Sequence, residues 1–110
     1  MANERSDLLQ GTLDLLVLRI LEAEGNHGYA IAKKIQILSK EFLTVKQGSL
    51  YPALHRLEKR GWVSSDWGIT ETKRKAKFYK LTRAGRRQIE EEMAYWKRFS
   101  GAINLILRDA

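Results

Sequence analysis

The chain has 110 residues, 20 Lys and Arg against 13 Asp and Glu, a formal net charge of +7 and no cysteine. That length suits one domain with a modest core, and the absence of cysteine excludes disulfides, thiolate metal sites and a cysteine nucleophile. The charge is concentrated: residues 46–87 hold 12 basic and 3 acidic side chains, +9, whereas the segments before and after come to −1 each.

Such a focused positive field is the footprint of a phosphate-binding surface; the competing reading is a solvated basic face. In chain order, Leu8 and Leu9 make a short apolar lead into a helix over 12–24. Leu13, Leu15, Leu16, Val17, Leu18, Ile20 and Leu21 leave that helix apolar nearly all round, so it needs cover on every side, some of it from a second copy. No stretch reaches the ~18 apolar residues of a membrane span, because 13–21 is short and is interrupted by Asp14 and Arg19. The first residues lack a signal-peptide pattern, which points to a cytoplasmic protein. Residues 25–28, GNHG, read as a turn. A second helix is predicted over 29–40, with Ile31, Ile35 and Leu38 inward, and 42–45 connects it onward.

The next segment, 46–62, reads as a helix with two unlike faces. Leu50, Leu54 and Leu57 recur at three- and four-residue steps as a core stripe, while Ser49, Tyr51, His55 and Arg56 lie off it. Pro52 is expected in the opening turn, where a missing N–H costs little, and Gly61 ends the helix. A helix that buries one side and presents hydrogen-bonding groups on the other can enter the major groove of DNA. Helix, glycine-containing turn, helix and a further helix with a polar face is the order of a helix-turn-helix domain.

The period then changes. Residues 62–67 and 75–81 read as two strands joined by a charged loop, a β-hairpin wing with Lys73, Arg74, Lys75 and Lys77 at its tip and returning strand. These cations suit backbone or minor-groove contacts; lysine on an edge strand also discourages aggregation. Trp62 and Trp67 are read as hydrophobic cover under the wing; the competing reading is an aromatic platform for single-stranded nucleic acid. Thr82 caps a last helix to about residue 107. Its Ile89, Met93, Trp96, Ser100, Ile103 and Leu107 form a heptad-like seam, beside a stripe of Tyr95, Phe99, Ala102 and Ile106. So little chain remains to cover them that a partner subunit is expected; the competing reading is packing back only onto the first helix of the same chain. Burying about 500 Å² of apolar surface per subunit contributes about 12 kcal/mol before entropic costs.

The stretch GSLYPALHRLEKRGW at 48–62 resembles the central motif of PadR-type transcriptional regulators. LQGTL at 9–13, HGYAI at 27–31, and RKAKFYKLT at 74–82 leading into Ala84 and Gly85 agree with it. The resemblance runs from about Leu8 onward and is to the short subclass with one C-terminal helix, in wording close to members encoded beside permease-like genes. It implies a mainly α fold with a small β-hairpin (α+β), a winged helix-turn-helix over 8–82 and a dimerisation helix over 83–110. It further implies a cytoplasmic homodimer, usually a repressor, on a pseudo-palindromic double-stranded DNA operator, with the first and last helices at the dimer interface. The family tyrosine falls on Tyr51 and its basic wing residues on Arg74, Lys75 and Lys77. Where the family often has a second aromatic in the wing strand, this chain has Phe78.

The candidate DNA contacts are therefore Lys46, Gln47, Ser49, Tyr51, Pro52, His55, Arg56, Arg74, Lys75 and Lys77. Tyr51 can stack on a thymine methyl or donate to a phosphate or base edge, or else pack on the wing. Gln47 and Ser49 stand with the helix N-terminal N–H groups, placed for phosphate, although Ser49 can equally serve as a cap. Arg56 is placed for a guanine or phosphate contact. The candidate dimer residues are Leu13, Leu16, Val17, Ile89, Met93, Trp96, Phe99, Ile103 and Ile106. In short relatives the region of Trp96 borders a cavity between subunits, where a small planar aromatic effector can stack; plain core packing is the other reading of this ring. No cofactor or metal is called for. His27 and His55 stand apart, and 90–92, EEE, has no histidine partner, so catalysis has no constellation to work with. The rival to a specific regulator is a non-specific architectural DNA-binding protein or a winged-helix protein-interaction module.

Overall fold

A computed structural model describes the backbone of residues 2–110 and the side chains of residues 12–110. In chain order the elements are α1 (Ala2–Ala23), β1 (Asn26–His27), α2 (Gly28–Leu38), α3 (Gln47–Lys59), β2 (Val63–Ile69), β3 (Lys75–Leu81) and α4 (Arg83–Asp109). Four helices and a three-stranded antiparallel sheet of order β1-β3-β2 make the α+β winged-helix fold. α1 begins well before residue 12, so the expected lead at Leu8 and Leu9 lies inside this helix; their side chains lie outside the described residues.

Local chemistry sets most boundaries. His27 is extended and caps α2, its Nδ1 accepting from the Ala30 N–H at 3.3 Å. α2 stops at Leu38, short of the expected residue 40, because Lys40 and Glu41 turn left-handed (φ 55° and 68°). α3 ends in a Schellman motif: Gly61 sits at φ 79°, its N–H donates to the Glu58 carbonyl at 3.0 Å, and the Trp62 N–H donates to the Leu57 carbonyl at 3.0 Å. Pro52 is not in the opening turn but one turn further in, where its missing N–H takes the helical donor from the Gly48 carbonyl.

The core joins Leu13, Val17, Leu18 and Leu21 of α1 to Ile31 and Ile35 of α2 and to Leu50, Leu54 and Leu57 of α3. Val63, Tyr79 and Leu81 of the sheet and Ile89 of α4 close it. Among the described residues, Leu13, Val17, Leu18 and Leu21 of α1 are therefore covered by their own chain. Leu13, Val17 and Ile89 are 1%, 0% and 0% exposed in the single subunit, which corrects their assignment to the dimer interface, since no surface remains on them for a partner. Leu38, expected inward, is exposed, because α2 ends there and the chain turns away.

Residues 25–28, expected as a turn, hold a two-residue strand instead, and Gly28 already opens α2. Asn26 pairs with Tyr79 and His27 with Phe78, and the His27 and Phe78 rings meet edge-on at 5.2 Å. On the other side of β3, Val63 faces Leu81, Ser65 faces Tyr79, Trp67 faces Lys77 and Ile69 faces Lys75. Strand alternation puts these four pairs on one face, buried at the Val63 end and projecting beyond the helices at the other. The tip is closed by Thr70 N–H to the Arg74 carbonyl (2.8 Å) and Lys73 N–H to the Thr70 carbonyl (2.9 Å), with Lys73 left-handed at φ 66°.

Thr82 then starts α4, its Oγ1 accepting from the Gly85 N–H at 3.0 Å and donating to the Gly61 carbonyl at 2.6 Å. Beyond Ile89 the helix leaves the core, which helps make the molecule 53 Å long and only 22 Å thick.

Candidate nucleic-acid interface

The four buried residues of α3, Leu50, Ala53, Leu54 and Leu57, fix its orientation. At 100° per residue the side opposite them carries Gly48, Pro52, His55 and Lys59, all exposed. Lys46 and Gln47 stand exposed at the helix start, where Lys46 is the cap residue but makes no side-chain cap bond. Ser49, offered above as a cap, lies inside the first turn and is half-buried.

The two flanks of α3 do different things. On one, Arg56 Nη2 bonds Asp14 Oδ1 of α1 at 2.9 Å, so the guanidinium expected to meet DNA ties α3 to α1. On the other, Glu58 Oε2 accepts from Ser65 Oγ of β2 at 2.7 Å, tying α3 to the wing. Tyr51 shares that second flank. Its ring lies against the start of α2, where a Cβ on Gly28 would stand 2.9 Å from the phenol oxygen; Gly28 thus makes room for the ring. Tyr51 remains 47% exposed.

Between this flank and the wing runs an open groove of about 790 Å³. It is lined by His27, Tyr29 and Tyr51 together with Trp67, Lys75 and Lys77, and by Arg74 and Glu71 of the wing tip. The structure thus brings Tyr51, Arg74, Lys75 and Lys77 to one space, and leaves His55, Pro52 and Lys46 on the outer surface of α3. The Tyr79 phenol also lines the groove. Burial first, then Glu58, then Tyr51 push its pKa above the ordinary tyrosine value.

The two tryptophans read as cover under the wing part company in the structure. Trp62 is half-buried against the core, as expected. Trp67 is not cover: it is 64% exposed, with Lys75 Nζ 5.4 Å from its ring centroid. His27 and Tyr29 also join the groove without having been singled out for it. The alternation from buried Val63 puts Trp67 on the inner face, but only the β2–β3 register shows it stranded beyond the core among lysines.

On α4 the candidate dimer residues Met93, Trp96, Phe99, Ile103 and Ile106 are all exposed, from 38% to 64%. Leu16 of α1 is half-buried. The Trp96 and Phe99 rings stand 6.1 Å apart. Among the described residues no group of side chains could hold a metal ion, and no helix is long and apolar enough to cross a membrane.

The chain matches the model of the transcriptional regulator PadR-like family over residues 17–91. A transcriptional regulator structure from Clostridium thermocellum is 33% identical and superposes with a TM-score of 0.81, covering 89% of this chain and 95% of that one. A PadR family transcriptional regulator from Eggerthella lenta is 30% identical with a TM-score of 0.80, covering 99% and 93%. A PadR-like regulator from Bacillus cereus is 29% identical with a TM-score of 0.78, covering 94% and 99%. An uncharacterised protein of Lysinibacillus sphaericus is 28% identical over 103 residues, 94% of either chain.

Proposed function

The chain belongs to the transcriptional regulator PadR-like family, and from that premise we propose that it is a homodimeric repressor of a pseudo-palindromic operator. The family makes it a DNA-binding transcriptional regulator and not an enzyme. In the proposed complex the outer side of α3 enters the major groove, with Gln47, Ser49, Pro52 and His55 near base edges and phosphates. Tyr51 reads from its flank, and Lys46, Arg74, Lys75 and Lys77 hold the backbone. The observation that carries this reading is the shared groove, which points Tyr51 of α3 and the cations of the wing into one space. Arg56 is left out of the reader set because Asp14 holds it.

The exposed apolar stripe of α4 supports the dimer. Met93, Trp96, Phe99 and Ile103 repeat at helical spacing and stand 38% to 43% exposed, and a partner α4 packed there, with Leu16 at its margin, removes them from water. Half-sites then fall about one helical turn apart. Trp96, flanked by Phe99, is the proposed contact for a small planar aromatic effector. Such a ligand releases the operator only if it binds one arrangement of the dimer better than the other.

Fluorescence anisotropy tests the operator reading, using duplex from upstream of the gene against a scrambled duplex at near-physiological salt. A preference of about a thousandfold or more is expected, and Tyr51→Ala lowers it with the dimer mass unchanged. Equal, salt-sensitive affinity for both duplexes would favour a non-specific architectural protein.

A further inference from the structure

The wing carries a feature that charge alone does not explain. Its inner face, beyond the buried end, exposes two large apolar side chains on β2, Trp67 and Ile69, each 64% exposed. Directly across on β3 stand Lys77 and Lys75. Lys75 Nζ also lies 5.4 Å from the Trp67 ring centroid, so apolar and cationic groups are interleaved over two successive pairs, about 7 Å apart along the strand. Trp67, Lys75 and Lys77 of this face line the same groove as Tyr51.

An exposed tryptophan on a hairpin needs an occupant, and its neighbours narrow the choice. A protein or second-copy surface seated here would have to neutralise Lys75, Lys77 and Arg74 at once, with Glu71 the one acidic side chain among those lining the groove. A nucleic-acid strand offers the matching alternation: apolar deoxyribose faces between anionic phosphates. Resting on the DNA-binding role of the family, we propose that the groove is the seat of one sugar–phosphate strand, and that Trp67 is a DNA-contact residue which packs on deoxyribose while Lys75 and Lys77 hold the adjoining phosphates. The contact is sequence-independent. It fixes the position of the wing and thereby the depth at which Tyr51 meets the bases.

Because a backbone contact does not depend on an operator, random-sequence duplex is the probe, and the test stands whether or not the repressor reading holds. Dissociation constants are measured for the full-length chain at several salt concentrations. Trp67→Ala is expected to weaken binding to random and upstream duplex by the same factor, about tenfold or more, with the slope of log affinity against log salt unchanged. Lys75→Ala and Lys77→Ala each reduce that slope by about 1. Trp67→Phe, which keeps an apolar ring, retains affinity to within about threefold. Thermal midpoint and dimer mass of Trp67→Ala stay at the wild-type values, since the ring contributes little to the core.

Wild-type affinity in Trp67→Ala would overturn the proposal. So would a loss confined to the upstream duplex, which would make Trp67 a base reader, or a change in oligomeric mass, which would make it a protein contact. Normal loss on random duplex together with no preference for the upstream duplex would uphold the strand seat and sink only the repressor reading.

Discussion

Replacing Gly85 by alanine tests how α4 is joined to the wing. Gly85 is the third residue of α4, and helix propensity by itself favours the change by up to about 1 kcal/mol. Packing opposes it. A Cβ at Gly85 would run into the Trp62 carbonyl oxygen, and would stand 3.0 Å from that carbonyl carbon and 3.1 Å from Leu81 Cδ2. Trp62 cannot retreat freely, because its carbonyl also accepts from the Thr82 N–H at 3.0 Å. Overpacking of this kind costs about 2 kcal/mol. The shift that relieves it strains the Gly85 N–H bond to Thr82 Oγ1, a cap whose loss costs about 1 kcal/mol. Set against the propensity gain, the net expectation is a destabilisation of about 2 kcal/mol. Urea unfolding followed by circular dichroism measures it, at one fixed protein concentration because self-association adds to apparent stability. Gly101→Ala is the control: nothing lies within 4 Å of the place its Cβ would take, so it stabilises by up to about 1 kcal/mol. A Gly85→Ala protein at least as stable as wild type, beside a stabilised Gly101→Ala, would refute the packing argument.

Three further outcomes are expected. Phe99→Asp, which puts a charge into the exposed stripe of α4, converts the dimer to a folded monomer; light scattering reads the mass, and an unchanged dimer would move the interface elsewhere. Arg56 and Asp14, paired at 2.9 Å but partly open to water, couple by about 0.5 kcal/mol in a double-mutant cycle. Asp14→Asn also frees the guanidinium and steepens the salt dependence of DNA binding by about 1; no change would mean Arg56 never reaches phosphate. Tyr79 holds its proton more tightly folded than unfolded, its pKa being raised by burial, Glu58 and Tyr51. Its contribution is therefore complete at neutral pH and is lost as pH rises above about 10 and through the folded value. Tyr79→Phe should gain stability relative to wild type across that alkaline window, and a constant difference between the two proteins would reject the assignment.

The local part of the fold was legible in the residues. The three- and four-residue steps of Leu50, Leu54 and Leu57, the left-handed Gly61 and the Thr82 cap act within one or two turns of chain, so spacing and residue type alone decide where α3 ends and α4 begins. The same holds for the hairpin, whose strands are neighbours in sequence. The basic concentration over residues 46–87 marked where the positive charge lies for an equally simple reason, because charge density survives any arrangement of that segment. Other features depend on distant chain meeting distant chain. β1 exists only because Asn26 and His27 find β3, and two residues carry no strand signal by themselves. α1 looked as if it required a second copy, yet the three other helices and the sheet cover Leu13 and Val17, which an apolar pattern cannot distinguish from intersubunit burial. Arg56 read as a DNA contact until the crossing of α1 and α3 brought Asp14 to it. Trp67 reads as cover under the wing, whereas the strand register sets it opposite Lys77 and it stays 64% exposed. Sequence by itself determined which segments are helices, which is the wing and where the positive field lies, since these follow from local geometry and composition. Tertiary structure decided which apolar and charged side chains are used up inside the subunit and which stay exposed on its surface, because only packing between elements removes a side chain from water.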